Sequence, residues 1–326
     1  MNRRPLRDIT SEDVKTYQRD GVVCLREVFD RDWIDLLLPV TRAARMDRQA
    51  FGLLPTIGSP RYMARTIPQF RKYAFQSPMG EACGKVLKSR TIRFFFDEVF
   101  SKEPRSTQHT IWHNDRTGWP VSGHMVPSFW FPLTPISKEN SLECIAGSHT
   151  TDVLYWIFSP NARKMVQPPD RPIQPDGQAL RDDPNYTFLS WDMNPGDVLI
   201  IHPWTLHFSS GNPTDDWRFA ISTRLFGDDI VWDPRPECVN LAGVSFDEMI
   251  LGERPNGPLF PIIYNEDGNR DNADDYPTGF ATTWSTSAYE RVQAMAKPKG
   301  GFQALLKQAG GPSSSKSIKT QTSGLD

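Results

Sequence analysis

Cysteine is scarce: Cys24, Cys83, Cys144 and Cys238 stand alone along 326 residues, with no Cys-x-x-Cys pair. Four isolated thiols neither staple a chain of this length nor supply a zinc-ribbon spacing, so they are expected as small buried hydrophobes in a core that holds itself together. Excess charge is missing too. With 37 Lys and Arg against 39 Asp and Glu, the net charge is −2, which gives no basic field for nucleic acid or an anionic membrane. No apolar run approaches the roughly 20 residues that span a bilayer. The charged start Met1-Asn2-Arg3-Arg4-Pro5 is not followed by an apolar stretch, and Gly324-Leu325-Asp326 is not a Ser-Lys-Leu type ending. A soluble, cytoplasmic protein is therefore expected. No internal repeat is visible.

What the chain does have is 28 Pro, 22 Gly and 10 Trp, a composition of many short segments cut by turns and hence of a mainly β globule. One domain is expected over residues 1–296, with its β core at about 90–226, followed by a flexible tail at 297–326 whose last part, from 311, is too poor in apolar residues to order itself. Ser11-Glu12-Asp13 starts a helix that ends at Asp20-Gly21, and Val22 to Leu25 reads as a buried strand. Asp30 is placed to cap a second helix carrying Trp33, Leu36, Leu37 and Val40 at helical spacing. The Arg-, Lys- and Tyr-rich segment 58–76 reads as a solvated loop.

Strands are expected at Arg93–Phe96, Gln108–His113, Met125–Leu133, Leu142–Ile145, Val198–Ile201 and Arg218–Arg224. The segment 157–190 holds Pro160, Pro168, Pro169, Pro172, Pro175 and Pro184 and reads as a long loop of functional or disordered character. Ser287 to Ala296 reads as a last helix.

The chemistry gathers in two places. Trp112-His113-Asn114-Asp115 puts a carboxylate two positions after an imidazole, and His207 supplies a distant second imidazole. Two His and one carboxylate leave half of an iron coordination sphere open. Ten residues after His207, Arg218 begins a strand in which Arg218, Ala220, Ser222 and Arg224 alternate with Trp217, Phe219 and Ile221. Either the polar face lines a barrel holding a charged ligand, or Arg218 points to solvent. A hairpin centred near Asn212 and Pro213 would set Arg218 opposite His207, with Cβ atoms about 5 Å apart. An anion on Arg218 would then reach a metal on His207, and a short dicarboxylate such as 2-oxoglutarate meets that requirement.

The stretches "DGVVCLREVF", "WHND", "FWFPLTPISKENSLECIAGSH", "PGDVLIIHPWTLHFSSGN" and "WRFAIS" together resemble the phytanoyl-CoA dioxygenase family of iron(II)- and 2-oxoglutarate-dependent oxygenases, over about residues 10–226. The resemblance implies a double-stranded β-helix, or cupin-like jelly roll, with flanking helices. It implies His113, Asp115 and His207 as iron ligands and Arg218 as the partner of the far carboxylate of 2-oxoglutarate, with dioxygen as the other cosubstrate. Asn114 stands where the family often has Gln, and Trp130, Ser209 and Ser222 fall at positions that touch the cosubstrate. Asp115 argues against halogenation, since halogenating relatives carry a small residue there.

Hydroxylation of a small organic molecule, an amino acid or a secondary-metabolite intermediate, is the expected activity, with desaturation or ring closure as other outcomes. A monomer or homodimer is expected. Trp112, Arg116, Trp119 and His124 are candidate substrate contacts, together with the 157–190 segment, while His109, His149 and His202 read as structural. A non-catalytic jelly-roll binding protein and an iron oxygenase that needs no 2-oxoglutarate stand as alternatives.

Overall fold

The computed structural model describes residues 1–53, 59–156, 167, 170–235, 238, 241 and 249–279. The expected last helix and the tail lie outside the described residues, as does most of 157–169. Two antiparallel sheets face each other. The larger has the order β1-β8-β5-β10-β2-β12, from β1 (Val22–Leu25), β2 (Thr91–Lys102), β5 (Ser128–Pro132), β8 (Val198–Ile201), β10 (Arg218–Phe226) and β12 (Ile262–Asn265). The smaller has the order β3-β9-β6-β7, from β3 (Thr110–His113), β6 (Leu142–Ile145), β7 (Phe188–Leu189) and β9 (His207–Ser209). A short ribbon pairs β4 (Val121–Ser122) with β11 (Val231–Trp232). This is a jelly roll with helices on one side, the fold the sequence led us to expect.

Alternation decides which residues face which layer, because successive strand side chains point to opposite faces. On β5, Phe129 and Phe131 turn outward into the main core, while Ser128 and Trp130 turn toward the space between the sheets. The outward faces of β1, β5, β8 and β10 are covered by α1 (Ser11–Asp20), α2 (Arg31–Met46), α4 (Pro68–Gln76) and α5 (Met79–Leu87). Trp33, Leu37, Phe70, Tyr73 and Cys83 are fully buried there. Between the sheets, Val22, Leu199, Ile201 and Ala220 meet Leu142 and Cys144.

Local sequence explains the helix limits. Thr10 and Asp13 form a reciprocal capping box on α1, which ends at Gly21 in the left-handed region with φ 75°. A Cβ at Gly21 would lie 2.3 Å from Thr205 Oγ1 and 2.5 Å from His149 Nδ1, so only glycine lets the chain turn into β1 there. Asp30 holds the cap position of α2 without a capping bond, and its carboxylate pairs instead with the Met1 ammonium at 3.1 Å. Cys83, Cys144 and Cys238 are buried and Cys24 is half-buried; all four are free thiols.

The segment 58–76 departs from the expected solvated loop. Residues 59–76 include α3 (Met63–Thr66) and α4, with Phe70, Tyr73 and Ala74 at helical spacing turned into the core. Arg65 is itself buried, and Arg71 bonds the carbonyls of Ala64, Ala273 and Pro277. Arg71 thus grips main chain and Arg61 pairs with Glu98, so basic residues here sit on folded structure and mask the apolar period beneath them. No helix among the described residues is long and apolar enough to cross a membrane.

Phe131 links sheet and helices, stacking on Phe29 at 4.1 Å between ring centroids and lying 6.0 Å from Tyr73. Phe131→Ala should lower unfolding free energy by about 3–5 kcal/mol in a denaturant titration; a loss below about 1 kcal/mol would show that this layer does not hold the sheet.

Candidate metal centre

The ladder between β3 and β9 pairs His113 with His207, and their ring centroids lie 4.2 Å apart. Asp115 follows β3 at the start of a 3-10 turn, Arg116–Gly118, which swings its carboxylate back so that Oδ1 is 3.6 Å from His113 Nε2. One donor atom from each of His113, Asp115 and His207 lies within 4.8 Å of the others.

Both imidazoles are turned by main chain. His113 Nδ1 lies 2.8 Å from the Ile111 carbonyl and His207 Nδ1 lies 3.0 Å from the Thr205 carbonyl. A carbonyl only accepts, so each Nδ1 carries the proton and each Nε2 presents its lone pair to the shared space. That arrangement orients a metal-binding histidine and fixes its tautomer. The donor set, two neutral imidazoles and a carboxylate, suits a divalent iron, manganese or cobalt ion with open positions.

Charge is controlled from β10. Asp115 Oδ2 accepts from Ser128 Oγ and lies 3.6 Å from Arg224 Nη2, while Arg224 Nη1 is 3.7 Å from Glu98 Oε2. Glu98 in turn accepts from Arg61 Nε at 3.0 Å. The Arg224 guanidinium sits against Phe96, Phe100 and Trp119, 5.6–5.8 Å from the three ring centroids. Burial opposes the charge of Asp115, yet Arg224 and the two histidines outweigh it and hold the carboxyl well below the usual carboxylate range. Burial and His113 push the His207 imidazole down to about 4. His113 is also opposed by burial, but the negative charge of the neighbouring Asp115 carboxylate raises it above the usual histidine value.

The cavity holding these groups continues to Arg218, and Trp130, Ser209, Ser222 and Lys102 also line it. Arg218 is buried and donates to Ser209 Oγ at 2.8 Å and to the Asn140 carbonyl and side-chain oxygens. The polar face of β10 therefore turns inward, and Arg218 does not point to solvent. The route differs from the expected hairpin: β9 pairs with β3 and β6, β10 with β2 and β5, so His207 and Arg218 lie on facing sheets. They meet across the cavity because the chain changes sheets between Ser209 and Arg218.

Other candidate residues are placed elsewhere. Asn114 is not turned to the cavity: its side chain accepts from Thr117 Oγ1 at 2.8 Å and donates to the Val153 carbonyl, closing the turn that delivers Asp115. Trp112 points to the face of β3 opposite His113, stacking on Phe208 at 5.4 Å beside a separate groove of about 570 Å³. Arg116 packs on Trp204 and donates to Ser122 Oγ and Asp233, a buried structural pairing. Trp119 belongs to a second core with Phe95, Phe226 and Trp232. Strand alternation and the 3-10 turn thus carry the three side chains away from the metal donors, while Trp112 lines the separate groove and Trp119 packs against the Arg224 guanidinium.

His124 is exposed, 5.5 Å from the ring of His202. His149 meets the Gln18 carbonyl, His202 packs on Tyr17, and His109 lies against Phe208. Glu98, Lys102, Ser128 and Arg224 complete the cavity or its supports without having been singled out for that; even spacing from Arg218 along β10 and from Trp130 along β5 was the available signal for Arg224 and Ser128.

Similarity to other proteins agrees with this geometry. The model of the family described as Phytanoyl-CoA dioxygenase (PhyH) matches residues 17–220. Among solved structures, the non-heme alpha ketoglutarate dependent carbocyclase SnoK from nogalamycin biosynthesis is 17% identical, covering 80% of this chain and 99% of that one at a TM-score of 0.60. The epimerase SnoN in complex with Fe3+, alpha ketoglutarate and nogalamycin RO is 19% identical over 77% of this chain and 97% of that one, TM-score 0.61. EctD from S. alaskensis with 2-oxoglutarate and 5-hydroxyectoine is 16% identical over 78% and 92%, TM-score 0.57. At such identities the likeness is one of fold.

Two predictions follow from the charges. Arg224→Met should weaken Mn(II) binding by about 10- to 100-fold in calorimetry, as loss of a group orienting a ligand does; unchanged affinity would remove Arg224 from the centre. His202 is pushed down to about 3 by burial and by His149 and His124, so the unfolded chain binds a proton that the fold excludes once pH drops below about 6.5. Stability should therefore fall toward acid, and His202→Gln should remove about 1.4 kcal/mol per pH unit from that slope between pH 6 and 4. An unaltered slope would contradict the assignment of His202 as a buried neutral imidazole.

Proposed function

The chain belongs to the phytanoyl-CoA dioxygenase family, and we propose that it oxidises an unactivated C–H bond of a small organic molecule with iron(II), 2-oxoglutarate and dioxygen. It is an oxidoreductase of the iron- and 2-oxoglutarate-dependent class. The observation that carries the reading is the pairing, in one cavity, of three convergent metal donors with a buried guanidinium that has no carboxylate partner among the described residues. An unpaired buried charge is costly, so a site built around one is built for an anion.

Bound iron, with 2-oxoglutarate and dioxygen, supplies the oxidising power, and the diacid leaves as succinate and carbon dioxide. The protein's share is positional. His113 and His207 would bind through Nε2, each held by a main-chain carbonyl, and Asp115 through Oδ1, because Oδ2 is engaged by Ser128 and Arg224. Arg218, set by Ser209 and Asn140, would take the far carboxylate of the diacid in a forked bond. Trp130 and Ser222 wall the slot between the two ends and exclude water.

For the substrate, an amino acid or a secondary-metabolite intermediate is favoured over a CoA thioester, because the near-neutral chain carries no excess of basic residues for a polyphosphate tail. In this reading residues 1–296 form one oxygenase domain acting in the cytoplasm as a monomer or homodimer, and hydroxylation is the default outcome.

The test is succinate release with iron(II), 2-oxoglutarate and a panel of small-molecule substrates under oxygen. Asp115→Ala should abolish it while leaving the circular dichroism spectrum intact, and Arg218→Ala should raise the 2-oxoglutarate concentration for half-maximal rate by about 10- to 100-fold. Oxygen consumption that continues unchanged without 2-oxoglutarate would overturn the cosubstrate, and normal turnover by Asp115→Ala would overturn the metal site.

A further inference from the structure

Resting on that reading, we infer that Lys102 is a second cation of the cosubstrate slot, placed beside Arg218 to hold the far carboxylate of the diacid. Lys102 closes β2 and is the direct ladder partner of Arg218 on β10. Paired residues present their side chains to one face, here the inner one, and both line the metal cavity. Like charges set opposite each other on a sheet repel, and repulsion grows as water is withdrawn. Arg218 is 4% exposed, and Lys102 is partly buried.

Neither cation has an acidic partner among the described residues. Lys102 Nζ donates to the Ser209 carbonyl at 3.1 Å and to the Ser210 carbonyl. Arg218 Nη2 donates to the hydroxyl of the same Ser209 at 2.8 Å. One residue at the end of β9 thus anchors both heads, through its main chain and its side chain. The acids near them in sequence lie on the surface: Asp216 is exposed, Glu103 pairs with Arg45 at 3.5 Å, and Asp215 pairs with Arg105 at 2.7 Å. Burial and the neighbouring Arg218 push the Lys102 ammonium down to about 7, as expected where two cations share a space without a counter-ion.

A carboxylate resolves that arrangement. It has two oxygens with about four lone-pair sites, enough for the guanidinium fork and for one N–H of an ammonium acting as a point charge. Two cations against one terminal carboxylate also favour 2-oxo acids that carry a second acid group over those ending in a methyl or amide. Lys102 is therefore a cosubstrate-binding and specificity residue in addition to tying β2 to β9.

Calorimetric titration of the Mn(II)-loaded protein, without oxygen or substrate, separates these roles. The ligands are 2-oxoglutarate, which reaches the far end of the slot, and oxalate, which chelates the metal and stops short of it. Lys102→Met should bind 2-oxoglutarate about 10- to 100-fold more weakly, the loss of one charge-assisted hydrogen bond, and oxalate within about twofold of the parent. Lys102→Arg should retain most of the affinity for 2-oxoglutarate. Lys102→Gln, which can still donate to Ser209, carries the same expectation as Met should that variant not fold. Equal losses for both ligands, or no loss for either, would make Lys102 a structural tie and overturn the inference. A parent protein that binds oxalate but not 2-oxoglutarate would overturn the proposed cosubstrate itself, and this inference with it.

Discussion

The antiparallel register of β3 and β9, with His113 opposite His207, is the constraint on which the site depends. A slip of one residue would turn one imidazole to the outer face, where Trp112 and Phe208 now pack. The register is held from both sides. Ladder bonds tie β9 to β6 on its other edge, and the aromatic packing of Trp112, Phe188 and Phe208 penalises any exchange of faces. Apolar packing on the outside of the small sheet thereby fixes metal geometry on the inside.

Within the cavity, electrostatics are arranged as a gradient along one face of β10. Arg224 together with Arg61 balances Asp115 and Glu98 at the metal end, while Arg218 and its ladder partner Lys102 leave positive charge unmatched at the other end. Buried ion groups are a poor source of stability, because desolvation offsets most of the attraction. Their placement here is better understood as specifying where a cation and an anion sit. The fold's stability comes instead from the aromatic layer between the large sheet and the helices, centred on Phe29, Phe131 and Tyr73.

Much of this was legible in the sequence, and the gaps have physical causes. Strand alternation marked Arg218, Ser222 and Arg224 as one face, and turn chemistry at Asp20-Gly21 marked the end of α1. The proximity of His207 and Arg218 was foreseen by way of a hairpin that does not exist, because local patterns do not reveal when a chain crosses from one sheet to its partner. In the segment 59–76, numerous basic residues masked the helical period of Phe70, Tyr73 and Ala74. Asn114 was assigned by analogy, whereas its shorter side chain closes the turn to Thr117. The Arg61–Glu98–Arg224–Asp115 series joins residues far apart along the chain, and only the sheet order brings them together.

The central claim is a single metal held by two imidazoles and one carboxylate at the end of β3 and β9. X-ray absorption at the iron edge of the anaerobically loaded protein tests it most directly. The account requires one iron per chain with a nitrogen and oxygen shell at about 2.0–2.2 Å, the imidazole scattering of two histidines and no sulfur. Iron that is not retained, or a shell containing a cysteine sulfur, would contradict it.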